Sequence, residues 1–200
     1  MVSGQHAMGR LVSALTKLPG VGKKSAQRMA YYILQNELDY AVELSESILG
    51  AKEKIRLCSM CHDYTESDPC HICSDERRDK NVLCVVEQPK DLAAMERSRQ
   101  YNGRYHILHG VINPRENKGL ESLTLNHLLS RVDESIEEVI IALNPTVEGD
   151  TTAIYIARLL RPLGIKVTRI AQGIPTGSDL DYFDETTIAM AVENRREIKE

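Results

Sequence analysis

The chain has 200 residues, of which 42% are hydrophobic, so it is long enough to bury a core in one or two domains. Its net charge of -4 does not by itself indicate a nucleic-acid-binding protein. No run of about 18 apolar residues predicts a membrane span, and the first residues lack the pattern of a secretory signal, so we expect a cytoplasmic protein.

Positive charge is nevertheless concentrated at the N-terminal end. Residues 1–36 contain no Asp or Glu. Their cations are Arg10, Lys17, Lys23, Lys24 and Arg28. Such segregation can focus a field that attracts phosphate groups, although a solvated basic helix face is the alternative interpretation.

Apolar periodicity predicts helices first and an alternating pattern later. Helical spacing predicts helices over 8–17, 25–35 and 40–57. Short apolar runs that predict strands follow at 82–87, 105–110, 138–143 and 165–171. Helical patterns lie between them at 91–100, 122–131 and 151–163, with a last one at 186–196. This alternation predicts an α/β fold whose sheet is largely parallel. We therefore expect a helical region over 1–57, a Cys-rich module over 58–80, a parallel-sheet domain over 81–172 and a short C-terminal segment over 173–200.

The first motif is the break between the first two helices, LPGVGKKSAQRMA at residues 18–30. Gly20 and Gly22 allow close approach of the backbone to a ligand, and the following helix begins with free N–H groups. Lys23, Lys24 and Arg28 bring cations to the same end, which suits phosphate contacts that ignore base sequence. Glycines that serve only as helix caps are the alternative, but the motif resembles a helix-hairpin-helix DNA-binding motif.

The second motif is CSMCHDYTESDPCHIC at residues 58–73. Cys58, Cys61, Cys70 and Cys73 form two CxxC pairs, the spacing with which four thiolates bind one Zn²⁺ ion. A complete four-sulfur shell leaves no position for water, so we expect a structural metal rather than a catalytic one. His62 and His71 are alternative ligands that we interpret as bystanders, and Cys84 is predicted to be a buried packing residue.

A third group of polar residues follows two predicted strands. Glu87 ends the strand over 82–87, and the turn NPTVEGD at 144–150 follows the strand over 138–143. This layout resembles a Toprim fold, whose strand-cutting members carry an Asp-x-Asp pair at the second turn. Asn144 and Thr146 stand there instead, and they lack the charge that holds Mg²⁺ beside a phosphate. A magnesium-dependent nuclease or topoisomerase that uses Glu87, Glu148 and Asp150 is the enzymatic alternative. An adaptor that binds only protein through its zinc module is another alternative.

The order of these motifs resembles the RecR family of bacterial recombination mediators over nearly the full chain. The segments 84–96, 103–112, 144–160 and 167–187 also fit that family's pattern. The resemblance implies a non-enzymatic DNA clamp, assembled as a ring-like homotetramer associated with the nucleoid. It also implies that the clamp works with RecO and RecF to load RecA on DNA coated by the single-strand-binding protein. Lys24 and Arg28 then match the family's DNA contacts, and Glu87 and Glu148 match the surface that meets RecO.

The chain departs from the family's pattern at two single residues and in one loop. Lys23 stands where Pro is usual, which adds a cation but loosens the turn. Residues 113–123 replace a typically glycine-rich loop. Ser178 replaces a glycine, and a backbone conformation that requires glycine would be disfavoured there.

Overall fold

The computed structural model describes residues 6–113, 115, 121 and 123–198. They form two compact units that divide between Ile55 and Arg56, two residues before the predicted boundary, and each unit is described by itself. No helix in the described ranges is long and apolar enough to cross a membrane.

The first unit consists of three helices, α1 (Ala7–Leu15), α2 (Lys23–Gln35) and α3 (Leu38–Lys54). The two small side chains of Ala26 and Ala30 are fully buried on α2, and α1 packs against this helix. No residue of α3 is buried. The sequence predicts a compact helical region with an apolar face on the third helix, but the structure leaves that face uncovered because α1 and α2 bury little beyond the two alanines.

The second unit begins with the Cys-rich module. Strands β1 (Arg56–Leu57) and β2 (Tyr64–Thr65) pair antiparallel, and the short helix α4 (His71–Ser74) follows. The helix predicted to reach residue 57 therefore ends earlier. The backbone N–H of Cys58 donates to Asp63 O at 2.8 Å, and this bond closes the hairpin that takes the place of the last predicted helical turn.

A four-stranded parallel sheet in the order β4-β3-β5-β6 forms the centre of this unit. Its strands are β3 (Asp79–Val86), β4 (Gly103–Ile107), β5 (Glu138–Ala142) and β6 (Lys166–Arg169). The associated helices are α5 (Pro89–Ser98), α6 (Leu125–Arg131), α7 (Val147–Leu160) and α8 (Glu185–Glu193), with short 3-10 helices at Arg161–Leu163 and Leu180–Tyr182. The predicted α/β class and parallel sheet are confirmed. The sequence indicates them because strands that are covered on both faces consist of continuous apolar residues.

Two buried clusters cover the two faces of the sheet. One joins Leu83, Val85 and Ile141 to the apolar sides of α6 and α7. The other joins Val86 and Ile107 to α5 and to the cysteines. The Cys-rich module, which has almost no apolar core of its own, is thus held against the parallel sheet.

The start of α7 differs from the prediction, which placed Glu148 and Asp150 in a turn before the helix. The helix begins at Val147 because the Thr146 side chain accepts a hydrogen bond from Gly149 N at 3.0 Å, which caps the free end of the helix. Both acidic residues therefore lie in the first turn, where the helix dipole favours negative charge.

Candidate functional site

The turn before α2 presents its cations to solvent. Gly20 adopts a φ of +79°, a left-handed conformation that glycine takes without strain. Gly22 is the N-cap of α2 and offers no side-chain cap. Lys23, Lys24 and Arg28 are all exposed. Backbone donors at the start of α2 and the two lysines thus share one open end of the helix.

These cations have no acidic partners in the part of the chain that the structure describes, where no carboxylate lies within 4.0 Å of Lys23, Lys24 or Arg28. The first turn of α2 also contains no acidic residue. Lys23 occupies the first position of the helix, where proline is common but lysine is also compatible with helical geometry. The presence of lysine instead of proline therefore leaves the start of α2 in place. The turn is therefore able to contact the phosphates of nucleic acid.

The four cysteines converge as the spacing predicts. Cys58, Cys61, Cys70 and Cys73 are buried, and their sulfur atoms all lie within 4.8 Å of one another. Sulfurs that share a tetrahedral zinc ion lie ~3.8 Å apart, as follows from a Zn–S bond of about 2.3 Å. None of the four forms a disulfide. The donor set fits one zinc ion with a closed shell.

Hydrogen bonds already order this cluster. Cys61 and Cys70 lie 3.5 Å apart, and the bond between their sulfurs raises the pKa of Cys61 and lowers that of Cys70. The backbone N–H of Cys70 donates to the Cys58 sulfur at 3.4 Å. Such N–H donors stabilise thiolates, the form in which cysteine binds metal.

The remaining sulfur and nitrogen donors nearby lie outside this cluster. Cys84 is fully buried in β3, and burial raises the pKa of its thiol to about 12, as suits a packing residue. His71 is exposed. The ring of His62 instead packs edge-on against His106, with centroids 5.3 Å apart, and against His127 at 4.8 Å.

Polar residues meet where β3 and β5 end. Because these neighbouring strands are parallel, Glu87 and Asn144 follow them at the same edge of the sheet. The Asn144 side-chain amide donates a hydrogen bond to Glu87 Oε2 at 2.8 Å. Gly149 is required nearby, since a Cβ atom there would lie 2.1 Å from the carbonyl oxygen of Asn144.

A polar cavity of about 340 Å³ opens beside this pair. Its lining includes Glu87, Gln88, His109, Thr146 and Glu148. Asp150 does not join these two glutamates, because it forms an ion pair with Arg169 and lines a different cavity with Leu143 and Met190. The structure therefore brings Glu87 and Glu148 together and separates Asp150 from them. Among the described His, Cys, Asp and Glu residues, the four cysteines form the only group of three or more whose ligand atoms are close enough to share a metal ion.

Two of the departures from the family's pattern bear on other segments. The left-handed conformation near Ser178 is taken by Gly177, with a φ of +86°, so Ser178 itself does not need the freedom of glycine. In the atypical loop over 113–123, residues 114, 116–120 and 122 lie outside the described residues.

The Cys-rich module is fixed to the sheet by hydrogen bonds and ion pairs that no sequence motif indicates. Arg78 pairs with Glu96 at 2.5 Å, and the Tyr105 hydroxyl donates to Glu96 at 2.7 Å. Ile107 N donates to Cys61 O at 2.9 Å, so the module covers the outer edge of β4. No local pattern predicts these contacts, because they join residues that are far apart along the chain.

Comparison with known proteins matches four successive segments of the chain to family models. These are a RecR helix-hairpin-helix over residues 8–52, a RecR zinc finger domain of the four-cysteine type over 55–75, a Toprim domain over 81–171 and a RecR C-terminal segment over 173–196. A protein named Recombination protein RecR from Desulfitobacterium hafniense (strain DSM 10664 / DCB-2) is 53% identical over 188 residues, 94% of each chain. A protein of the same name from Heliobacterium modesticaldum is 50% identical over 192 residues, 96% of each chain. The chain therefore belongs to the RecR family of recombination proteins, with a helix-hairpin-helix, a four-Cys zinc finger and a Toprim domain in sequence.

Proposed function

We propose that this protein is a non-enzymatic, DNA-binding recombination mediator of cytoplasmic, nucleoid-associated DNA repair. The observation that carries the proposal is the open turn before α2, where Gly20 and Gly22 expose backbone donors beside Lys23, Lys24 and Arg28. Contacts from this turn go to phosphates, so binding is insensitive to base sequence. This is the property that a mediator acting at any damaged site needs.

The test is DNA binding by a Lys24→Ala, Arg28→Ala variant, measured by fluorescence anisotropy with a labelled oligonucleotide of mixed sequence. We expect affinity to fall about tenfold or more at low salt, because two phosphate contacts are lost in every copy. A Lys52→Ala, Lys54→Ala variant is the matched control, since it removes the same charge from exposed positions at the end of α3. Equal affinities of the two variants for DNA would show that the α2 turn is not part of the binding site.

We also propose that each chain binds one structural Zn²⁺ ion through Cys58, Cys61, Cys70 and Cys73. The closed four-sulfur geometry supports this assignment. When bound, the metal supplies a cross-link between the hairpin and α4. Metal analysis of the purified protein tests it, with one equivalent of zinc expected per chain and less than half an equivalent expected for Cys61→Ser.

The cavity beside Glu87 and Glu148 is proposed as the surface that binds RecO. Both side chains line one polar opening, and the Asn144 amide occupies one oxygen of Glu87 while leaving the cavity open. RecF acts with the same assembly, and RecA is then loaded on DNA coated by the single-strand-binding protein. A Glu87→Lys, Glu148→Lys variant should lose RecO in a titration while retaining its affinity for DNA. A loss of affinity for DNA, with binding of RecO retained, would contradict the assignment of Glu87 and Glu148 to the RecO-binding surface.

We propose that the protein forms a homo-oligomer, a ring-like tetramer, and the exposed apolar side chains of the first unit support this proposal. Large apolar side chains that remain exposed there include Tyr31, Leu34, Leu38, Ile48 and Leu49. A surface this apolar on so small a unit favours pairing with a second copy. Ile48→Glu should lower the mass measured by sedimentation, whereas Val192→Glu, an exposed apolar position on α8, should not. An unchanged mass for Ile48→Glu would contradict the use of this face.

The enzymatic alternative, cleavage with Glu87, Glu148 and Asp150, is disfavoured by the pairing of Asp150 with Arg169. Incubation with supercoiled plasmid and Mg²⁺ distinguishes the two functions. The mediator leaves the plasmid supercoiled, whereas a nuclease or topoisomerase nicks or relaxes it and loses that activity in Glu87→Ala.

A further inference from the structure

Arg131, at the end of α6, is a half-buried cation that has only neutral partners in the described structure. Its Nη1 atom donates to Tyr105 O at 2.7 Å and to His106 Nδ1 at 3.2 Å. His106 is fully buried, and because its Nε2 atom donates to the Thr124 carbonyl at 3.1 Å, its Nδ1 atom accepts and the ring is neutral. No carboxylate within the described ranges lies within 4.0 Å of Arg131. A cation removed from water without an anion is strongly destabilising.

A second arginine increases this imbalance of charge. Arg104 lies on β4, and its Nε atom is buried with no hydrogen-bond partner among the described residues. Burial lowers the pKa of Arg131, and repulsion by Arg104 lowers it further. Arg104 and His106 lie two residues apart on β4 and therefore on the same face of the strand, and Arg131 contacts His106. Neither guanidinium group has a carboxylate within 4.0 Å among the described residues.

The Cys-rich module lies against the same edge of β4. Tyr105 O and Ile107 N point to the same side of β4, because backbone groups two residues apart share a side of a strand. Arg131 binds the first of these groups, and Cys61 O binds the second at 2.9 Å. The ring of His62, the residue after Cys61, packs against the ring of His106 with centroids 5.3 Å apart, and His106 is the histidine that Arg131 contacts. Arg131 therefore lies beside the Cys-rich module.

A zinc ion held by four thiolates carries a net formal charge of about -2. We propose that Arg131, assisted by Arg104, is the counter-cation of this zinc-thiolate centre. Metal binding then stabilises the edge of β4 and the end of α6 as well as the Cys-rich module. The inference rests on the proposed binding of zinc, and it assigns Arg131 a positioning role outside the ligand shell.

The test is the rate at which zinc passes from the folded protein to a chromogenic chelator in a reducing buffer. Arg131→Met should release zinc about tenfold faster or more, in the range found when groups that support metal ligands are lost. Arg131→Lys retains the charge and should stay within a few-fold of the unsubstituted protein. Arg97→Met, on the exposed side of α5, is the matched control and should not change the rate.

Thermal unfolding of the same proteins, with zinc bound and after chelation, gives a second readout. With zinc bound, Arg131→Met should lower the melting temperature more than it does after chelation, because the arginine has an anionic partner only in the metal-bound protein. If Arg131→Met fails to fold, Arg104→Met provides the comparison, and it should release zinc faster than Arg97→Met and Arg131→Lys.

The outcomes separate the two proposals. A protein that contains no zinc would contradict the metal assignment itself. A protein that contains zinc, but whose Arg131→Met and Arg104→Met variants release it at the rate of Arg97→Met, would overturn the counter-cation alone.

Discussion

Asn144 and Thr146 occupy the two positions at which the resemblance to strand-cutting Toprim domains leads us to expect aspartates. The Asn144 amide donates to Glu87 at 2.8 Å, so the pair is satisfied without a metal. Thr146, at the other unusual position, caps α7. Both neutral side chains therefore have a structural role. An aspartate at position 144 would repel Glu87, whereas an aspartate at position 146 would still cap the helix.

Asn144→Asp is predicted to lower the free energy of unfolding by about 1–2 kcal/mol, because two carboxylates replace a hydrogen-bonded pair. Mg²⁺ should restore part of that loss by binding between them. Urea denaturation with and without Mg²⁺ measures both effects.

Asn81→Asp is the control for this substitution. Asn81 also donates to a glutamate, Glu137 at 3.2 Å, but neither residue lines the polar cavity. We expect no recovery with Mg²⁺ there. Equal responses of the two variants to Mg²⁺ would show that the cavity has no special affinity for the ion.

His106 predicts a pH dependence of stability. Burial lowers the pKa of His106 from 6.5 to about 3, so the folded protein holds the neutral ring. Its contribution to stability is present above pH 6.5 and is lost as the pH falls toward 3, by at most ~1.4 kcal/mol for each pH unit.

Unfolding by urea between pH 7 and 5.5, in excess zinc, checks this. The stability of His106→Gln should fall less steeply with acid than that of the unsubstituted protein. His6→Gln, at an exposed position, should fall as steeply as the unsubstituted protein. Parallel curves for all three proteins would contradict the assignment of a buried neutral His106.

At the scale of elements, the Cys-rich module acts as a cover for the open edge of the sheet. β4 is an edge strand, and the bond from Ile107 to Cys61 occupies part of its free edge. Arg78, near the end of the module, is bound to Glu96 of α5. The module is thus attached at two points, and edge-to-edge pairing with other chains is discouraged.

Glu96→Gln should lower the free energy of unfolding by about 1–3 kcal/mol, because it leaves Arg78 half-buried without its carboxylate. Burial alone would raise the pKa of Glu96, but hydrogen bonds from Arg78 and Tyr105 outweigh it and lower that pKa. The stabilisation is therefore present at neutral pH and disappears in acid. Urea denaturation at pH 7 and at pH 4 should show a difference that shrinks at the lower pH. The control is Glu134→Gln, at an exposed position; a loss of the same size there would contradict this account.

Local patterns predicted the elements best where the chain alternates between apolar strands and amphipathic helices. β3, β5 and α2 were predicted within a few residues because their apolar residues follow one period. The hairpin of β1 and β2 was missed, since two-residue strands carry no periodic signal. The start of α7 was missed because its cap depends on one hydroxyl group, that of Thr146.

For the whole molecule, the four-cysteine cluster and the basic turn could be predicted because each lies within one short stretch of sequence. The contact of Asn144 with Glu87 could not, since it depends on the order of the strands. The contacts of Arg131 could not be predicted either. Its neighbours come from β4 and the Cys-rich module, so no single segment indicates them.

The exposed apolar faces of the first unit also have meaning only for the whole molecule. Helical spacing predicts an apolar face on α3, but the sequence does not say what covers it. The other helices of the first unit leave it open, which supports assembly with further copies. Repeated copies would then multiply the weak phosphate contacts of each α2 turn.

The most direct test of the proposed function is the salt dependence of DNA binding. The logarithm of the binding constant, plotted against the logarithm of salt concentration, has a slope of about -0.9 for each phosphate that is neutralised on a duplex. We predict a steep slope that is the same for unrelated DNA sequences and that becomes shallower by about two units per bound chain in Lys24→Ala, Arg28→Ala. A slope that this variant leaves unchanged, or binding that depends on DNA sequence, would contradict a mediator that holds DNA through the α2 turn.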